Sequence, residues 1–194
     1  MLYLFTLGIM GAVAYASLRE GLLTSLGNLV NVVLAGLVAF NFFEPLAGEL
    51  EKMLQGTFME GFEDGLALLI LFAPILGLLR VVTNNLANTD LELPALLQQI
   101  GSILVSLVTG YLAAGFLICA FQTLPWSENF LGFEYMNDAA TPAYRRVIPP
   151  DRVWLSMMHH LGQGPLSQED SKTFDPEGTF ELRYGRLRRG KTTP

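Results

Sequence analysis

The sequence predicts an all-α integral membrane protein: a four-span transmembrane helical bundle followed by a polar, mostly irregular C-terminal tail. Three observations carry this reading. The 194 residues are 51% hydrophobic and only 15% charged, against about 25% charged in an ordinary soluble domain. Charge is also unevenly placed: residues 1–127 hold twelve charged side chains and residues 128–194 hold the other eighteen. Within the first region, charge-free runs cover 1–18, 21–43, 65–79 and 93–127. Four apolar blocks in so short a stretch leave too few polar faces to solvate a globule, since surface helices carry a polar stripe. The chain is therefore divided into a membrane region, 1–127, and a tail, 128–194.

Each block is judged by its length. A helix needs about 20 apolar residues to cross a hydrocarbon core about 30 Å thick. The first, second and fourth blocks meet this, giving spans at about 1–18, 21–43 and 101–124. The third reaches it only by continuing through Arg80 to about 83, with the guanidinium snorkelling to the headgroups. The first block lacks the basic n-region of a secretory signal and runs through Tyr15, Ala16 and Ser17 straight into the second, so it is expected to be retained.

The links add connectivity. Arg19-Glu20 is a tight turn, which places the first two helices antiparallel and adjacent. Residues 44–64 carry six acids and one Lys, and Leu46, Leu50, Met53 and Leu54 suggest a short amphipathic helix resting on the interface. Asn84, Asn85, Asn88, Asp90 and Pro94 mark the third link as turn-rich. Four spans so joined put both chain ends on one side of the bilayer.

Helix faces supply the candidate sites. Without a hydrophobic drive between helices in lipid, small residues that let backbones approach carry more of the packing. Ser102, Ser106, Gly110 and Ala114 recur every four residues, as do Gly8, Ala12 and Ala16. Both stripes are candidate helix contacts within a chain or across a dimer, although Gly and Ala are common in spanning helices in any case. Ser25, Asn28 and Asn31 share a face early in the second span. Unpaired amides are costly in hydrocarbon, so this face should look into the bundle or a water-filled vestibule. A substrate path would use such groups, but hydrogen bonding between helices is the favoured reading.

Several chemistries lack their parts. No acid, His or Lys stands in the middle of a span, where ion-coupled transporters keep relays. Paired spanning Asp residues, a His-Glu-x-x-His motif and a Ser paired with a spanning His are all missing from the sequence, so intramembrane proteolysis is not expected. A single Cys, Cys119, excludes a disulfide framework and reads as a small buried hydrophobe. The net charge of -6 argues against a nucleic-acid partner.

The tail is punctuated by Pro142, Pro149, Pro150, Pro165 and Pro176. Val153, Trp154, Leu155, Met157 and Met158 follow Asp151, which suggests a capped helix of two or three turns docking on the membrane surface or on the bundle. Adjacent His159 and His160 point apart on a helix and have no acid or Cys at ligand spacing, so no metal is expected. Phe180, Leu182 and Tyr184 alternate with polar residues in the manner of a short strand. The terminal Arg183, Arg186, Arg188, Arg189 and Lys191 form a basic end that suits a solvated terminus or anionic lipid.

Ser17-Leu18-Arg19-Glu20-Gly21, the following Leu26-Gly27-Asn28-Leu29-Val30 and a small-residue fourth span opening at Gly101 together resemble the colicin V production protein (CvpA) family. The family-like turn is carried by Arg19 and Gly21. Members usually have Lys or Arg directly before the Gly, where this chain has Glu20, and an Arg-Gly in the fourth span, where it has Thr109-Gly110. The resemblance covers about residues 1–125. It implies a multi-pass protein of the bacterial inner membrane, required in producing or exporting a peptide toxin and associated with envelope homeostasis. It implies no catalytic residue and no cofactor.

The expected function is therefore non-enzymatic support of toxin production, secretion or envelope maintenance. The expected partners are the lipid bilayer, further copies of the chain and membrane or secretion proteins. The alternative is a small oligomeric channel or transporter lined by Asn28 and Asn31. Arg19 and Arg80 flank the odd links, which places those links in the cytoplasm and the tail outside it.

Overall fold

The computed structural model describes residues 2–17, 20–86, 94–125 and 149–163, together with 180 and 184. It is all-helical among these residues, with α1 (Leu2–Ala16), α2 (Leu22–Leu54), α3 (Glu63–Leu86), α4 (Ala95–Gln122) and α5 (Pro150–Gln163).

Three helices, α2, α3 and α4, are long and apolar enough to cross a membrane. The fourth expected span is shorter than its block. α1 has 15 residues, about 22 Å at 1.5 Å per residue, which falls short of the hydrocarbon thickness.

α2 corrects the expectation of a separate interfacial helix in the 44–64 link. Its 33 residues run unbroken through Pro45 to Leu54. Proline removes one backbone donor there. Packing offsets this, because Ala47 is buried and Leu46 and Leu50 lean on the core. The helix stops where Gln55 N–H still bonds the Glu51 carbonyl and Gly56 takes φ +77°, a left-handed conformation that glycine adopts without a Cβ penalty. Glu63 then accepts a hydrogen bond from Gly61 N–H (2.8 Å). With Asp64 it places two acids in the first turn of α3, where the helix dipole favours them. α3 continues through Arg80 and Thr83, as its sequence requires for spanning length.

α1 does not pair along its length with α2. It packs on α4, while α2 packs on α3 and α4. The turn between α1 and α2 is wedged from below by Ser102 of α4, whose hydroxyl reaches the carbonyls of Ser17 (3.3 Å) and Glu20 (3.1 Å). Those carbonyls lie at and just past the end of α1, where acceptors lack helical partners. A tight link fixes where two helices begin to diverge, and α4 occupies the space between them.

The tail contributes to the same core as the long helices. α5 packs on α4 and α2, burying Trp154 and Met158 completely. Trp154 fits only because two helices carry glycine opposite it. A Cβ on Gly36 would lie 2.1 Å from Trp154 Cζ2, and one on Gly115 would lie 2.4 Å from the Pro150 carbonyl oxygen. Asp151 stands in the first turn of α5, with Pro150 ahead of it at the start of the helix, instead of capping it from outside. Phe40, Phe43, Phe72, Phe116, Trp154 and Phe180 make one aromatic cluster, with Phe72 stacked on Phe116 at 3.8 Å. Phe180 and Tyr184 are helical, which overturns a strand at those two positions. Their rings lie 4.8 Å apart, and Leu182 between them lies outside the described residues. Tyr184 also donates to the Asp64 carboxylate (2.9 Å), tying the tail to the start of α3.

Candidate functional site

The expected polar face of α2 is a set of contacts between helices. Ser25 Oγ lies 2.7 Å from Ser102 Oγ, and Ser106 Oγ reaches Ser25 at 3.5 Å, the long end of a hydrogen bond. One proton order satisfies all of them: Ser106 donates to Ser25, Ser25 to Ser102, and Ser102 to a carbonyl of the α1–α2 turn. Asn28 Nδ2 donates to Glu20 Oε2 (2.7 Å), and Arg80 donates to Glu20 Oε1 (2.7 Å), so both carboxylate oxygens are taken. Asn31 accepts from Thr83 (3.0 Å), while its Nδ2 is buried without a partner. Three helices and the first turn are thereby joined at one end of the bundle.

The two small-residue stripes are placed differently. Ser102, Ser106, Gly110 and Ala114 of α4 are all buried. A Cβ on Gly110 would lie 2.7 Å from the Met10 Cα, so here the α1 backbone meets α4 closely. The contact on α1 is made through Ile9, Met10 and Val13. Gly8, Ala12 and Ala16 face outward instead, and a Cβ on Gly8 would meet nothing within 4 Å. Arg19 lies outside the described residues. Gly21 starts α2, with Ser25 N–H bonding its carbonyl (3.0 Å).

Sequence reasoning did not assign Glu20, Thr83 or Gly27 to the site. A Cβ on Gly27 would lie 2.3 Å from Thr83 Cγ2, so the glycine admits the threonine that bonds Asn31. The legible signal was charge: Glu20 stands just before the second apolar block and Arg80 just after the third, and they are opposite in sign.

Beside this cluster, α1 to α4 enclose a cavity of about 410 Å³. Asn28, Arg80, Ser106 and Thr109 contribute its polar groups, and Val32, Phe72, Leu76 and Ala113 contribute much of its apolar wall. Thr109 Oγ1 is turned back onto the Val105 carbonyl (2.9 Å). Among the described residues no group of three His, Cys, Asp or Glu side chains stands close enough to hold a metal ion. Asp151 is the one buried carboxylate among them, and it accepts from Gln122 (2.9 Å). Cys119 is fully buried, with its Sγ 3.7 Å from the Asp151 carbonyl.

A family model described as colicin V production protein matches residues 3–141. The chain belongs to this family. With three apolar helices of spanning length, it is a membrane protein. The match takes in α1 to α4 and the site described above, while α5 lies beyond it. Comparison with curated proteins and with solved structures returned no match.

Proposed function

We propose that this colicin V production family protein is a non-enzymatic, multi-pass component of the bacterial inner membrane. It supports toxin production or secretion, or envelope homeostasis, by holding partner proteins against its helices and tail. In this reading α1 completes a four-span bundle, the small-residue face of α1 is available to another copy or partner, and the tail lies outside the cytoplasm. The observation that carries the proposal is the closure of the α2 polar face. The Ser25 hydroxyl, the Asn28 amide nitrogen and the Asn31 amide oxygen are taken by Ser102, Glu20 and Thr83, as a scaffold of fixed shape requires and a hydrated path does not. The test is crosslinking in intact membranes followed by purification in mild detergent. Partner proteins crosslinked to outward positions on α1 support the reading; a lone monomer, under conditions that preserve a weak membrane complex, sinks it. Reporters at residues 20, 55, 90 and 190 check the span count and the side on which the tail lies.

A second reading, a small channel or transporter, is favoured by the cavity and by the buried, unpartnered Asn31 amide. Flux across proteoliposomes decides it: unchanged conductance in Asn28→Leu and Asn31→Leu removes this lining.

A further inference from the structure

α1 rests on α4 and α3 rests on α2, but α1 and α3 have no extended contact with each other. The cavity lies between them. It exists because the residues that would fill it are small: Ala16 on α1, Ala73 and Gly77 on α3, and Ala113 on α4. Ala16, Ala73 and Gly77 are themselves exposed, so the cavity opens sideways, out of the bundle. A Cβ on Gly77 would meet nothing within 4 Å. In a membrane this opening faces acyl chains. A void of 410 Å³ left empty would forfeit the dispersion contacts of its whole lining.

From this geometry we propose that the groove between α1 and α3 is a binding site for one membrane phospholipid. An acyl chain lies along the apolar wall past Val32 and Leu76, and the phosphodiester sits at Arg80. Three observations choose this occupant. The wall is mainly apolar: Thr109 and Ser106 on it bond the Val105 carbonyl and Ser25, and the one charged group, Arg80, stands with Asn28. Arg80 gives one hydrogen bond to Glu20 and its side chain is 49% exposed, so the guanidinium keeps donors for a phosphate. Both Glu20 oxygens are hydrogen-bonded, to Asn28 and Arg80, so its carboxylate is fixed beside the guanidinium and its charge is offset there by Arg80. Volume argues against a partner helix: one turn of a helix about 10 Å across already needs about 400 Å³. The site is independent of what the protein does for secretion, since it follows from the groove alone.

The full chain is reconstituted in phosphatidylethanolamine and phosphatidylglycerol bilayers containing a trace of phospholipid with a diazirine in its acyl chain. After irradiation, mass spectrometry locates the adducts. The expected result is a lipid adduct concentrated at Val32, Leu76 and Ala113. Gly77→Leu, which points a side chain into open space in the groove, lowers it about tenfold, whereas Gly8→Leu, on the outside of α1, leaves it unchanged. Arg80→Gln leaves the groove open but lowers the adduct severalfold. Circular dichroism shows whether each variant keeps wild-type helicity; if Gly77→Leu does not, the adduct positions in the wild type and the Arg80→Gln result decide alone. Adducts spread evenly over the outward residues, an adduct indifferent to both groove variants, or a crosslink to a second chain in place of lipid overturns the proposal.

Discussion

The Ser25 hydroxyl lies 2.7 Å from the Ser102 hydroxyl, joining α2 to α4 between residues 77 apart in the chain. Both are buried, and Ser102 also serves two carbonyls of the α1–α2 turn. The pair thus sets three helices in one register. Ser102→Ala keeps the close approach and removes the hydroxyl. It should destabilise the bundle by about 1 kcal/mol, the usual size of one hydrogen bond between helices in lipid or water. Ser102→Leu should cost more, because the side chain must displace the turn. Unfolding of the reconstituted protein under a denaturing detergent titration measures both.

Gly110 and Gly8 make a matched pair for testing helix packing. Gly110→Leu should separate α1 from α4, because its Cβ falls 2.7 Å from the Met10 backbone. Gly8→Leu should leave monomer stability unchanged, because nothing lies within 4 Å of its Cβ. A cysteine crosslink engineered between Phe5 and Phe121, whose rings are 5.7 Å apart, reports the α1–α4 distance. Loss of that crosslink in Gly8→Leu would place α1 on the wrong face.

The Glu20–Arg80 ion pair, with side chains 21% and 49% exposed, is solvated enough to be weak. Arg80→Gln should cost about 1 kcal/mol or less in stability, and less still at high salt. A loss of several kcal/mol, insensitive to salt, would instead mark a pair sealed from water.

α5 is held by two notches. Gly115→Ala should undock it, because the obstacle at 2.4 Å is the Pro150 backbone, which cannot rotate away. Trp154→Ala should remove about 3 kcal/mol or more by emptying a fully buried site. Limited proteolysis of the tail and Trp154 emission in a Trp126→Phe background should both change in Gly115→Ala, while α1 to α4 keep their helicity. An α5 that stays protected in this variant would show that the notch does not hold it.

Much of the fold was legible in the order of residues. Lipid exposure is a property of single side chains summed over a window, so the apolar runs located α2, α3 and α4 and the membrane class. The polar face of Ser25, Asn28 and Asn31 was legible for the same reason: three costly groups at helical spacing must be satisfied somewhere. The end of α2 was harder, since Pro45 and the charges after it resemble a stop, and only packing of Ala47 and Leu50 carries the helix further.

Hydropathy and spacing by themselves determined that this chain belongs in a membrane, where its long apolar helices lie and which polar groups need partners. Tertiary structure alone decided the partners. It set α1 against α4 instead of α2, turned Gly8, Ala12 and Ala16 outward while burying the α4 stripe, and drew α5 into the bundle at Gly36 and Gly115. Burial preference is local and additive along a sequence. Complementary shape is a relation between residues as far apart as Gly36 and Trp154, and it exists only once both are in place.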